Sequence, residues 1–195
     1  AMILKREYDM HPLTVTWAPH LYTDVGWHNH QAWIHTGGFD NFLFTPDGQI
    51  HRKLTQQAFR NLLHPFQPFI FGQKNYAPKM ALKMGIPLVF YGENEAEYGN
   101  AVKDNARATR DRSYFASAIQ SNETLYFGGV PMEELRSHGI LPGQMDPYMP
   151  ADADALADAE VDVHYLGYYL NWVPQECYYY SSEHVGFLAN EDRTE

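Results

Sequence analysis

What most constrains this chain is a change of character at one point. The apolar run Ile86-Pro87-Leu88-Val89-Phe90-Tyr91 stops at Gly92, and Glu93-Asn94-Glu95-Ala96-Glu97 follows at once. A continuous apolar run of this length predicts a strand buried on both faces in a parallel sheet. In open α/β sheets, ligands bind in the crevice beyond the carboxyl ends of the strands. A buried strand that ends in a Gly-bounded polar corner is therefore a candidate site, although a solvated strand-to-helix turn carries the same pattern. If a helix begins near Asn94, Glu93 and Glu97 share a face, where like charges cost about 0.2–0.5 kcal/mol. The positive end of the helix dipole offsets part of this. A divalent cation would reverse its sign, since carboxylates with phosphate oxygens are the usual magnesium shell.

The segments around this run alternate between strand and helix character, which predicts βαβ units and an α/β fold. Met2 to Tyr8 reads as the last turns of a helix, with Lys5 and Arg6 near its negative end. Leu13 to Ala18 is a strand stopped by Pro19, residues 27–35 a short helix closed by Thr36-Gly37-Gly38, and Phe39 to Thr45 a second strand. Pro46-Asp47-Gly48 reads as a turn, with Gly48 taking φ > 0. Ile50, Leu54, Ala58 and Leu62 then fall four apart, with Phe59 and Leu63 widening the stripe of an amphipathic helix packed on a sheet and ended by His64-Pro65. Pro68 to Gly72 is a brief apolar run, and Ala77 to Met84 a helix with Pro78 in its first turn and Gly85 at its end. The strands at Leu13–Thr16, Phe42–Phe44 and Leu88–Tyr91 are expected as neighbours in one parallel sheet. Further on, Lys103 to Gln120 reads as helical and Met132 to His138 as a short helix capped by Gly139. Val161 to Leu170 returns to strand character, and Pro174-Gln175-Glu176 starts a Tyr-rich helix.

At 195 residues the chain fits one α/β domain with a real core, spanning 1–195. Its formal charge of −10 opposes broad nucleic-acid binding, which needs a basic surface. No run is long enough to span a membrane, and no signal peptide is visible. A single cysteine, Cys177, allows neither an internal disulfide nor a Cys-rich zinc site, and the cytoplasm is the expected compartment. His28, His30 and His35 sit two and five apart, whereas helical metal ligands want three or four, so surface or core histidines are favoured. Asp152, Asp154, Asp158, Glu160 and Asp162 lack the glycine and oxygen spacing of a calcium loop and read as a solvated face. Arg107, Arg110 and Arg112 could clamp phosphate by bidentate bonds, but an exposed helix face is the favoured reading. Neither a nucleophile elbow nor a Gly-rich dinucleotide fingerprint occurs.

Several longer blocks resemble a known family. They are His11-Pro12-Leu13-Thr14-Val15-Thr16-Trp17-Ala18-Pro19-His20, Trp33-Ile34-His35 and His64-Pro65-Phe66-Gln67-Pro68-Phe69. To these are added Gly72-Gln73-Lys74-Asn75, Phe90-Tyr91-Gly92-Glu93-Asn94, Tyr165-Leu166-Gly167-Tyr168-Tyr169-Leu170 and Arg193-Thr194-Glu195. Together they are similar to the N-acetyl sugar amidotransferases of bacterial surface-polysaccharide biosynthesis (lipopolysaccharide, O-antigen). That family belongs to the PP-loop ATP-pyrophosphatase superfamily. The likeness runs over nearly the whole chain and is thinner between 101 and 160.

The resemblance implies a three-layer, Rossmann-like, mostly parallel sheet with helices on both faces. It also implies ATP-dependent conversion of a sugar acetamido group to acetamidino. ATP would adenylate the amide oxygen, and ammonia from a separate glutaminase partner would displace it. The substrate would be a nucleotide sugar and the cofactors ATP and Mg2+. On this reading Thr16, Trp17 and Ala18 meet adenine, while Gly92 and Gln73 bind the phosphates. Lys74, Glu93 and Asn94 act catalytically, and Glu93 and Glu97 hold magnesium. Lys74 would act as a point charge for phosphate. The family's Ser-Gly-Gly-x-Asp-Ser loop, whose amides cradle phosphate, would precede the helix ending at Tyr8, and members continue past Glu195. The chain is thus expected to be the middle of a longer enzyme and to bind ATP weakly alone. Two rivals remain: a tRNA-thiolating enzyme of the same superfamily, disfavoured by the acidic charge and unpaired cysteine, and a non-catalytic binding module.

Overall fold

The alternation of helix and strand is borne out in a computed structural model that describes residues 1–92, 108–110, 124–171 and 173–190. In chain order these form α1 (Met2–Glu7), β1 (Thr14–Trp17), α2 (Asp24–His35), β2 (Asn41–Phe44), α3 (Gly48–Leu62) and α4 (Gln67–Met84). Then come β3 (Leu88–Tyr91), β4 (Tyr126–Phe127), β5 (Val130–Pro131) and 3-10 turns at Met132–His138, Pro142–Gln144 and Asp146–Tyr148. The described chain ends with α5 (Ala153–Asp158), β6 (Asp162–Tyr165), α6 (Leu166–Tyr169) and α7 (Pro174–Val185). Packing divides the chain, expected as one domain, into two compact units: Ala1–Leu43 with Leu170–Glu195, and Phe44–Tyr169.

In the first unit, Met2, Phe39 and Val185 form a buried cluster, and the ring of Trp33 stacks on that of Phe39 with centroids 4.6 Å apart. Lys5 donates to the carbonyls of Gly37 and Gly38 at 3.0 and 2.7 Å, so α1 is pinned to the turn that closes α2. β1 pairs with β2. Asn41 reinforces the pair by donating to Thr14 Oγ1 and Thr16 Oγ1 at 2.8 and 3.0 Å. After α7, Leu188 exchanges two hydrogen bonds with the side chain of Asn29 on α2.

In the second unit, β3 and β6 pair in parallel, with Val89 opposite Val163 and Tyr91 opposite Tyr165. These four residues are buried together with Ala81, Ala151, Leu156 and Val161. The other face carries Leu88, Phe90, Asp162 and His164 and is more open. β3 is therefore buried on one face, not on both as its apolar run predicts. Its membership also differs from expectation: β3 pairs with β6, while β1 and β2 pair with each other in a separate sheet. Apolar runs report burial, but the choice of partner lies in long-range packing.

Local departures have local causes. The turn expected at 46–48 is a helix start, because Asp47 Oδ1 accepts from the backbone N of Gln49 and Ile50 at 2.8 and 3.3 Å. Gly48 is the first residue of α3 and has no positive φ. α3 buries Ile50, His51, Leu54 and Ala58, whereas Phe59, Leu62 and Leu63 are exposed, so the stripe widens towards His51 instead. The packing partners of α3 are α4 and β4. β6 ends at Tyr165, whose register partner Tyr91 is the last residue of β3, and α6 follows directly. Of the segment read as helical at 103–120, only 108–110 is described, and it is extended: Thr109 bridges His164 antiparallel. Met132–His138 closes at Gly139 (φ 70°) as expected, but as a 3-10 helix.

Candidate functional site

The decisive element is α4. Pro68 stands in its first turn and Gly85 (φ 65°) caps its end, so the run at 68–72 and the helix expected at 77–84 are one helix. Pro78 lies inside it, not in its first turn. A proline in a helix interior has no N–H for the carbonyl four residues back, which here is that of Lys74. Buried carbonyls without a donor are costly, and two side chains from elsewhere supply one. Tyr91 Oη donates to Lys74 O at 2.7 Å, and Arg110 Nη1 donates to the same oxygen at 2.8 Å. Tyr91 Oη also lies 3.4 Å from Gln73 O. The gap left by Pro78 thus binds the middle of α4 to the carboxyl end of β3.

Arg110 is fixed from its backbone as well. Its N–H donates to Val163 O at 2.8 Å, and Tyr165 N–H donates to Ala108 O at 3.1 Å, so 108–110 runs along β6. The guanidinium carbon stands 5.6 Å from the Tyr91 ring centroid, within cation–π range. Arg110 is half-buried in an extended segment, which corrects its assignment to an exposed helix face; Arg107 and Arg112 lie outside the described residues.

Around this point the helix face is deeply buried: Lys74 is 2 % exposed and Asn75 1 %. Asn75 donates to Tyr148 O at 2.8 Å, and Tyr148 Oη shares a 2.9 Å hydrogen bond with His51 Nδ1. Burial first, and the charge of Asp47 second, push the Tyr148 phenol well above its usual range. One turn on, Lys79 donates to Asp146 O and lies 3.8 Å from Asp146 Oδ1. Burial pulls its ammonium below the usual lysine range, and Asp146 opposes that shift.

Of the residues expected in the site, Gln73 and Lys74 meet the end of β3 through Tyr91, immediately before Gly92. Gly92 is exposed, its φ is not positive, and a Cβ placed on it would meet none of the described residues within 4 Å. Thr16, Trp17 and Ala18 belong to the first unit, at the end of β1; Thr16 accepts from Asn41 and Trp17 and Ala18 are buried. Glu93, Asn94 and Glu97 lie outside the described residues. Among the described residues no group of three His, Cys, Asp or Glu is placed to hold a metal ion. His28 faces Gly186 O at 3.4 Å, and His30 stacks on Trp27 with centroids 5.7 Å apart.

The residue pattern marked Arg110 only within a cluster favoured as an exposed helix face, Pro78 only as a first-turn proline and Tyr91 only as the end of an apolar run, so their meeting at Lys74 O was missed. The available signal was helical arithmetic: had α4 been read as one helix, Pro78 would have named the carbonyl of Lys74 as needing a donor. What meets at this strand end is a backbone carbonyl, that of Lys74, accepting from Tyr91 Oη and Arg110 Nη1. Comparison with models of known protein families and with curated proteins gives no match for this chain.

Proposed function

We propose that the chain serves an ATP-dependent amidotransferase that converts the acetamido group of an N-acetylated nucleotide sugar into an acetamidino group. The observation that carries this reading is the junction of Gln73 and Lys74 with the strand end at Tyr91-Gly92, made by the hydrogen bond from Tyr91 to Lys74 O. The blocks Gly72-Gln73-Lys74-Asn75 and Phe90-Tyr91-Gly92-Glu93-Asn94, far apart in sequence, are two of those that carry the family resemblance. The parallel β3–β6 pair supports a Rossmann-like sheet, completed in this proposal as three layers.

On this reading ATP, when bound, supplies the leaving group that an amide oxygen lacks. The chain's residues bind and orient. Gly92 would let phosphate approach the backbone, with Gln73 and Lys74 near that approach. Glu93 and Glu97 hold Mg2+, Asn94 orients the amide, and ammonia arrives from a separate glutaminase. The test supplies the full-length protein with ATP, Mg2+, ammonium and an N-acetylated nucleotide sugar. Expected products are AMP, pyrophosphate and a sugar whose mass has changed by replacement of O with NH. ATP consumption without amidine, or neither, sinks the proposal. Glu93→Gln is expected to lower turnover far more than it shifts the thermal midpoint; full turnover would remove Glu93 from the chemistry.

A further inference from the structure

The second unit holds a cavity that the chemistry proposed above does not use. It measures about 250 Å³ and lies among the 3-10 segments between 132 and 145, where Met132, Leu135, Ile140 and Met145 form an apolar wall. That wall is built into the fold. Leu135, Ile140 and Met145 are buried. From α3, Lys53 donates to Gly139 O at 3.0 Å and Gln57 meets His138 Nδ1 at 3.1 Å, while Gln144 Oε1 accepts from the Leu141 N–H at 2.8 Å. Two charged side chains, Glu133 and Arg136, line the same cavity. Residues three apart eclipse in a 3-10 helix, so this carboxylate and this guanidinium rise from one side of the short helix Met132–His138. Among the described residues neither side chain has an ion-pair or hydrogen-bond partner, and the two do not close on each other.

From this geometry we infer that the cavity is a binding site for a free aliphatic α-amino acid. It is smaller than drug-sized sites of about 300–1,000 Å³, and it offers an apolar wall with one charge of each sign. The ligand's carboxylate pairs with Arg136, whose planar fork takes two carboxylate oxygens. Its ammonium pairs with Glu133, and its side chain lies against Met132, Leu135, Ile140 and Met145. The methionines suit that contact, because an unbranched thioether fills irregular gaps. A fatty acid would set its carboxylate beside that of Glu133, and an alkylamine would set its ammonium beside Arg136. A zwitterion with an aliphatic tail meets both charges and the wall. The site stands whether or not the chain serves an amidotransferase.

L-Leucine titrated calorimetrically into the full-length protein is the probe, and it is expected to bind. Glu133 and Arg136 are exposed, so variants at both positions are expected to fold as wild type does. Arg136→Gln is expected to weaken L-leucine by about tenfold or more, the loss of a hydrogen bond between charged groups. Glu133→Gln is expected to weaken L-leucine too, yet to tighten isocaproate, which has the same tail and carboxylate but no ammonium. Leucinamide, which lacks the carboxylate, and glycine, which lacks the side chain, are expected to bind more weakly than L-leucine. Wild type that fails to bind L-leucine, or Arg136→Gln that binds it as tightly as wild type, overturns the site. Glycine that binds as tightly as L-leucine overturns the role of the apolar wall. Isocaproate that binds wild type more tightly than L-leucine, or L-leucine affinity unchanged in Glu133→Gln, overturns the amino acid as the ligand class.

Discussion

Tyr91 and Gly92 are neighbours with opposite tasks, and single substitutions separate them. Tyr91 faces inward and donates to Lys74 O. Tyr91→Phe removes that donor, with an expected cost of about 0.5–1.5 kcal/mol in chemical denaturation. The cost is expected to shrink in a Pro78→Ala background, because the new backbone N–H then serves the same carbonyl. Equal costs in both backgrounds would mean the two groups do not share it. Gly92 is open among the described residues: an added methyl meets none of them within 4 Å, and φ is not positive. Gly92→Ala is therefore expected to leave stability unchanged or raise it by up to about 1 kcal/mol. If phosphate approaches this backbone, the same variant loses ATP-dependent turnover. Full activity in a stable Gly92→Ala would move the phosphates elsewhere.

Helix boundaries in this chain are set by single side-chain contacts. Asp47 ends a stretch that looks like a turn and begins α3 by accepting from two backbone amides. Asp47→Ala is expected to cost about 1 kcal/mol, read from the denaturation midpoint at constant slope. α4 shows the reverse case, a helix that continues through a proline. A proline in an exposed helix interior costs about 3 kcal/mol relative to alanine. Here two outside donors occupy the carbonyl it abandons, so replacing Pro78 by alanine is expected to gain well under that figure. A gain of the full amount would show that the bonds from Tyr91 and Arg110 contribute nothing.

At the scale of the whole molecule, each of the two units has its own buried centre, and the second carries titratable groups inside it. Tyr148 is 1 % exposed, bonded to His51, with its phenol pushed above the usual 10.0. In the unfolded chain that phenol ionises near its ordinary value, whereas in the folded protein it stays protonated. The unfolded state therefore binds fewer protons there, and stability falls as pH rises through about 10. Lys79 acts with the opposite sign, since its lowered value means that folding releases its proton more readily. Tyr148→Phe is expected to flatten the alkaline loss of stability relative to wild type, while costing the His51 hydrogen bond at neutral pH. An unchanged alkaline slope would exclude Tyr148 as its source. No helix among the described residues is long and apolar enough to cross a membrane.

Much of this was legible in the residues alone. Spacing marked α2 and α3, terminal cations α1 and a starting proline α7, while β-branched, aromatic or continuous apolar runs marked the strands found at 14–17, 41–44 and 88–91. Gly85 and Gly139 marked helix ends because a left-handed cap suits glycine. The strand end at Gly92 was legible as a candidate site because apolar and polar character change there within one residue. What the tertiary structure decided is who meets whom. The pairing of β3 with β6, the passage of α4 through Pro78 and the withdrawal of Arg110 from an exposed face depend on donors and acceptors distant in sequence. The carbonyl of Lys74 is 17 residues from Tyr91 and 36 from Arg110. A backbone carbonyl has no residue type of its own, so its need for a partner becomes visible only once the helix around it is built.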